Sequence, residues 1–349
     1  MNFFIVSQFY RLHTATGTAA FVLLAVLLGA ASLTYWKVWG LYLLAIFLHC
    51  FAFGQNNYLD RLIDSADHTL NPLAQKRLDI RLARHGMFIP LILALVLVIL
   101  LGPQWYSFLI TAALGCVIVY NYYSKVTVLS RLFPPFATVF FFWYAYLVVN
   151  PTFTFDLFIW GCILFGVTVQ LFIIGDIKDT YRDRKSYNIA SHLIFTVGPH
   201  KARSIITVVL SACHIGIFLL LFSQLENFPT FAIGGLFLVT FSQVSNLLLF
   251  VLLGFCCIGG LVILLAITEE GMFCAFRISS SRKTQQFQRF VYALFVLIAV
   301  AGVFSQSVDT IGLSFVIVLT LGSYIAICKL AYETWFTPTS EVSFSFLPK

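Results

Sequence analysis

An all-α bundle that crosses a lipid bilayer nine or ten times is the fold class this sequence predicts, and three observations predict it. The 349-residue chain is 60% hydrophobic and only 10% charged, with a mean hydropathy of +0.94. A water-soluble chain of that length needs far more polar surface. Its apolar windows recur along the whole length, and most reach the roughly 20 residues that a helix needs to span the hydrocarbon. Its few charges gather in short connections between those windows. The reading is of a single transmembrane domain over residues 1–349, with a core of 9–306 and an additional span at 311–331.

The elements follow in order. The opening stretch MNFFIVSQFYRLHTATG is apolar and aromatic, and its first basic residue is Arg11. It lacks the basic region, apolar core and cleavage site of a secretory signal, so it reads as an interfacial lead-in. Spans are expected at 15–36, 39–59, 88–102, 104–123, 132–150, 155–175, 204–222, 244–268, 290–306 and 311–331. The windows at 88–102 and 290–306 are short, so their helices should run into the flanking polar residues. Residues 231–267 carry no charge; FSQVSN at 241–246 reads as an interfacial piece ahead of the eighth span. The status of the last span leaves the count at nine or ten.

Charge orients the bundle. The connections 60–86, 124–131, 176–203 and 269–289 hold most of the 21 Lys and Arg, whereas the opposite set offers only Lys37 with Asp156, Glu226 and Asp309. By the positive-inside rule the basic set is cytoplasmic, together with the N-terminus. A net charge of +7 spread this thinly does not suggest nucleic acid. The eight cysteines form no CxxC pair and lie mostly in apolar runs, where they read as small buried hydrophobes. The seven histidines show no metal-ligand spacing; His49 and His214 read as packed groups.

Two acidic clusters stand out. NNYLDRLID, residues 56–64, closes the second span, and GDIKDTYRDRK, residues 175–185, closes the sixth. In helical geometry Asn56, Asp60 and Asp64 fall at i, i+4 and i+8, and Asp176, Asp179 and Asp183 at i, i+3 and i+7, so each trio shares one helix face. Four spans separate the clusters, which puts both on the same side of the membrane and suggests a pseudo-repeat of four-helix units around a central cavity. Carboxylates this close repel in a partly dry site, so something positive must balance them. A hard divalent cation suits oxygen ligands, and Mg²⁺ commonly shares its shell between carboxylates and phosphate oxygens. Ionisable groups at a membrane edge are functional candidates by default.

These residues carry a resemblance. NNYLDRLID followed by NPLAQKR at 71–77 resembles the NDxxDxxxD motif and trailing segment of the UbiA superfamily of intramembrane prenyltransferases. DIKDTYRD at 176–183 resembles that superfamily's second motif, DxxDxxxD. YRLHT at 10–14 is similar to its Arg-x-His-Thr stretch, and YNYYSK at 120–125 with Arg131 to its Tyr-Ser…Lys…Arg loop. Two features depart from the pattern: Asn57 stands where the superfamily has Asp, and the span after residue 310 is additional.

The resemblance implies a substrate with an isoprenoid tail and a diphosphate head, and Mg²⁺ as cofactor. It implies metal ligation by Asn56, Asp60, Asp64, Asp176, Asp179 and Asp183, with Asp60, Asp64, Asp176 and Asp179 catalytic, two ions gripping the diphosphate from opposite walls. Candidate diphosphate contacts are Arg11, Lys76, Arg77, Lys125, Arg131 and Lys201. The partners are then an isoprenoid diphosphate, a hydrophobic acceptor and the bilayer itself. The expected reaction is prenyl transfer to a lipid-soluble acceptor, aromatic or otherwise. A membrane terpene cyclase would ionise the same donor without an external acceptor; the 38 Phe suit an aromatic-walled cavity that stabilises a cation. An ion-coupled transporter is disfavoured, since no charged residue marks the middle of a span.

Overall fold

The computed structural model describes residues 3–29, 35–64, 71–124, 127–179, 193, 196–225 and 241–273, and part of 291–303. Among them every regular element is a helix: α1 (Phe3–Tyr10), α2 (Leu12–Leu28), α3 (Trp36–Asp64), α4 (Ile80–Gly86), α5 (Phe88–Leu101), α6 (Phe108–Tyr123), α7 (Phe133–Val149), α8 (Phe155–Asp179), α9 (Pro199–Ser223) and α10 (Phe241–Phe273). Among the described residues seven helical stretches are long and apolar enough to cross a membrane: Trp36–Leu62, Ile80–Leu101, Trp105–Tyr123, Leu129–Val149, Phe155–Ile177, His200–Ser223 and Leu249–Thr268. The shorter apolar helices α2, with 17 residues, and Val291–Val300 stand at the expected first and ninth spans. The expected span at 311–331 lies outside the described residues.

Local chemistry explains the boundaries. Asp79 accepts from the backbone N–H groups of Arg81 and Leu82 at 2.8 and 3.0 Å, which starts α4 and gives this carboxylate a capping role. From there the chain runs through α4 and α5 as one 22-residue membrane-length stretch, extending the short window at 88–102 into its polar flank. FSQVSN forms the first turns of α10, whose 33 residues contain no proline to interrupt the helix, and it lies ahead of the membrane-length stretch Leu249–Thr268. At α7, Pro134 and Pro135 occupy the first helical positions, where a missing N–H costs nothing.

The described residues group into two compact units, one of residues up to 24 with 39–97, the other of 25–38 with 98–313. In the first, α1 lies on α3 and on the segment that leads into α4. Phe9, Leu73, Ala83 and Met87 form its buried cluster, with Tyr10, Tyr58 and Leu78 packed against it. Gly54 permits the approach, since a Cβ there would meet Phe9 and Tyr10 at 3.3–3.4 Å. The Tyr10 hydroxyl donates to the Gly86 carbonyl at 2.7 Å. Burial, and then the Cys50 thiol, raise the Tyr10 pKa, which keeps the phenol a donor. His49 bonds Thr18 at 2.8 Å, joining α3 to α2.

In the second unit α6 packs on α7, α7 on α8, α8 on α9 and α9 on α10. Buried polar groups fix those pairings. The Trp143 indole donates to the Leu157 carbonyl at 3.1 Å, and the Gln170 amide to the Leu210 carbonyl at 3.0 Å. The Tyr292 hydroxyl donates to Gln170 and meets His214 at 3.0 Å; the other ring nitrogen of His214 lies 2.9 Å from the Cys257 carbonyl. A Cβ at Gly260 would sit 2.6 Å from that imidazole, so only glycine admits it. His214 is thus a packed group, held by polar contacts on several helices.

Candidate active site

The acidic motifs close two helices longer than a bilayer core needs. α3 has 29 residues and α8 has 25, so at 1.5 Å per residue they run about 43 and about 37 Å. Either exceeds the roughly 30 Å of a bilayer core. Their last turns hold Asp60 with Asp64, and Asp176 with Asp179. A helix C-terminus carries the negative end of the macrodipole, which disfavours carboxylates there. A positive partner near such an end offsets that cost, and Asp176 has one in Arg131.

In the first unit the site is built on the end of α3. Asp60 is buried, and Asn56, one turn before it, is half-buried. Asp64 closes the helix, with its side chain outside the described residues. Arg11 lies between α1 and α2. Its guanidinium sits 4.8 Å above the Phe53 ring and donates to Asn57 Oδ1 at 3.4 Å. Its φ of +49° is left-handed backbone, at a cost of about 1–2 kcal/mol for a residue with a Cβ.

Lys76 and Arg77 come from a turn that the sequence dictates. Asn71 accepts from the Leu73 N–H at 3.1 Å and opens a short helical turn. Arg77 N–H to Pro72 O at 2.9 Å and Lys76 N–H to Leu73 O at 3.0 Å then close it as a Schellman motif. The terminating residue of that motif is normally glycine, and here it is Lys76, with φ +57°. Lys76→Gly should therefore stabilise the protein by about 1 kcal/mol, seen as a higher Tm; an unchanged or lower Tm would contradict the strain. Arg77 donates to Gln8 at 2.7 Å, and both Lys76 and Arg77 are exposed.

In the second unit Asp176, 5% exposed, meets Arg131, 8% exposed, at 3.3 Å. The short turn Val128–Leu132 presents Arg131. Thr127 accepts from Leu129 N–H at 3.3 Å, and Ser130 donates to Thr127 O at 2.6 Å. The guanidinium also donates to the Tyr120 hydroxyl at 2.6 Å, and Tyr120 stands edge-on to Phe172, one turn before Asp176 on α8. Arg131 and Asp176 are thus brought together. Asp179 ends α8 with its side chain outside the described residues, which also exclude Lys125 and Asp183. Lys201 is exposed on the first turn of α9.

Tyr120 and Asn57 make contacts with candidate site residues that the sequence did not reveal. Tyr120, on α6, sits 11 residues before Arg131, and its hydroxyl accepts from the guanidinium. Among the described side chains no group of three or more His, Cys, Asp or Glu converges on one point. The donor set nevertheless fits a hard cation in kind: carboxylate and amide oxygens at the negative end of a helix dipole, with Asp60 and Asp176 buried. Ser124, the C-terminal cap of α6, has its Oγ buried and without a hydrogen bond among the described residues.

These features define a polytopic helical membrane protein with buried acid and guanidinium groups at helix ends. The profile of the UbiA prenyltransferase family matches residues 18–249, more than half of the chain, and the chain belongs to that family. Among solved structures it is similar to digeranylgeranylglyceryl phosphate synthase, at 15% identity and TM-score 0.59, over 87% of this chain and 97% of that one. It is also similar to a UbiA homolog from Aeropyrum pernix K1, at 14% identity and TM-score 0.55, over 83% of this chain and 99% of the other. No curated protein matches it in sequence.

Proposed function

We propose that this chain is a Mg²⁺-dependent intramembrane prenyltransferase that ionises an isoprenoid diphosphate and passes the prenyl group to a lipid-soluble acceptor. The observation that carries this reading is the buried Asp176–Arg131 pair at the end of a membrane-length helix, in a chain of the UbiA family. Asn56, Asp60 and Asp64 in one motif and Asp176, Asp179 and Asp183 in the other would hold the ions. When bound, Mg²⁺ supplies positive charge to the diphosphate as the allylic C–O bond breaks.

The chain's own residues supply the rest. Arg131, fixed by Tyr120, places a planar donor beside Asp176, suited to a diphosphate oxygen. Arg11, Lys76, Arg77, Lys125 and Lys201 are further candidates for the diphosphate, all in segments that the positive-inside rule puts on the cytoplasmic face. The breaking bond leaves an allylic cation on the prenyl carbon and the electron pair on diphosphate. Aromatic faces stabilise such a cation without reacting with it, and exclusion of water protects it until the acceptor adds and sheds its proton.

The test uses the full-length protein in lipid nanodiscs, supplied with prenyl diphosphates of several lengths and a membrane lipid extract, with products read by mass spectrometry. Mg²⁺-dependent prenylated lipid, lost with a chelator and restored by Mg²⁺, is expected. A cyclic hydrocarbon or alcohol formed without extract would make the protein a cyclase instead, and ion flux in proteoliposomes without diphosphate release would make it a transporter.

A further inference from the structure

We infer that Asn57 is a positioning residue: it docks α1 on α3 and sets Arg11 at the diphosphate site. Asn57 is 1% exposed and stands next to Asn56, one turn before Asp60. Both ends of its amide are engaged. Nδ2 donates to the Phe9 carbonyl at 2.7 Å, and Oδ1 accepts from Arg11 Nη2 at 3.4 Å. Its own carbonyl accepts from Asn71 Nδ2 at 2.8 Å, which ties in the turn bearing Lys76 and Arg77. Phe9 belongs to the last turn of α1, where carbonyls lack a partner within the helix. One side chain thus joins the end of α1, the guanidinium of Arg11 and the end of α3, while its backbone carries the turn.

The chemistry needs an amide. A carboxylate accepts but does not donate, so aspartate at 57 would set a negative oxygen against the Phe9 carbonyl. It would also place a negative charge beside Arg11, drawing the guanidinium into an ion pair and away from an incoming polyanion. Asn57 gives Arg11 an acceptor that carries no charge. The departure from the superfamily's aspartate therefore exchanges a charge for a donor and takes position 57 out of the metal-ligand set.

The inference rests on the proposed function only in naming the polyanion, and one arm of its test is independent of activity. The experiment compares wild type, Asn57→Asp and Arg11→Gln as full-length protein in nanodiscs. Limited trypsin treatment without substrate, with release of the 1–11 peptide followed by mass spectrometry, reads the docking of α1. Asn57→Asp is expected to speed that cleavage by about tenfold. In the activity arm both variants should raise KM for the prenyl diphosphate by about tenfold, with kcat within about twofold of wild type. The double variant should be no worse than Arg11→Gln alone.

Wild-type cleavage in Asn57→Asp would overturn the docking role. A fall in kcat with a changed Mg²⁺ requirement would overturn the positioning role and make position 57 a metal ligand. If Asn57→Asp does not fold, Arg11→Gln decides: an unchanged KM overturns the inference. Inactive wild-type protein would refute the proposed function, with the proteolysis arm still deciding for or against docking.

Discussion

Asp176→Asn should lower prenyl transfer by about 10²–10³-fold. The substitution keeps the shape of the side chain and removes its charge, so it isolates what the carboxylate does. Asp176 is buried at the C-terminus of α8, 3.3 Å from Arg131. A carboxylate in that position is unfavourable in itself, opposed by the helix dipole and by burial. A positive partner offsets that cost, and Arg131 is one. If Asp176 holds Mg²⁺, the variant should also need about tenfold more Mg²⁺ for half-maximal rate. Steady-state rates across a Mg²⁺ series check both statements. Wild-type kinetics in Asp176→Asn would leave the carboxylate a structural partner of Arg131 and nothing more.

Arg131→Gln carries the second large effect, and it is of two kinds. Removing the guanidinium leaves Asp176 buried without its ion-pair partner, which should cost about 3–5 kcal/mol of stability. It also removes a fork-shaped donor suited to diphosphate, so KM for the prenyl diphosphate should rise by about 10–100-fold. Arg131→Lys separates the two. Lysine keeps the charge beside Asp176 but has no planar fork to share between that carboxylate, the Tyr120 hydroxyl and a diphosphate oxygen. Stability should largely return, while KM stays elevated. Thermal unfolding and substrate titration, measured on the same preparations, decide it.

What the sequence made legible follows from the range of the interactions. Membrane spans are written locally, as apolar runs, and α3 and α8 fall where those runs lie. The helix-face spacing of Asn56, Asp60 and Asp64 is equally local. Contacts between distant segments were not legible. His214 and Tyr292 are 78 residues apart and Gln170 and Tyr292 122 apart, and in the sequence they are isolated polar residues in apolar windows. Asn57 read as a missing carboxylate because its partners Phe9 and Arg11 lie 48 and 46 residues away. The capping bonds of Asp79 give that carboxylate a local role.

The central claim is that this protein ionises an allylic diphosphate with metal held by its acidic helix ends. Positional isotope exchange tests it most directly. A prenyl diphosphate carrying ¹⁸O between the allylic carbon and the α-phosphorus is incubated with the protein without acceptor, and recovered substrate is examined by ³¹P NMR. The account predicts Mg²⁺-dependent scrambling of the label into non-bridging positions, at least about 10²-fold slower in Asp60→Asn and Asp176→Asn. Product formation without acceptor, equally slowed in both variants, would leave the ionisation step intact and turn the enzyme into a cyclase. Label that stays in place while the protein forms product, or scrambling at the wild-type rate in either variant, would contradict it.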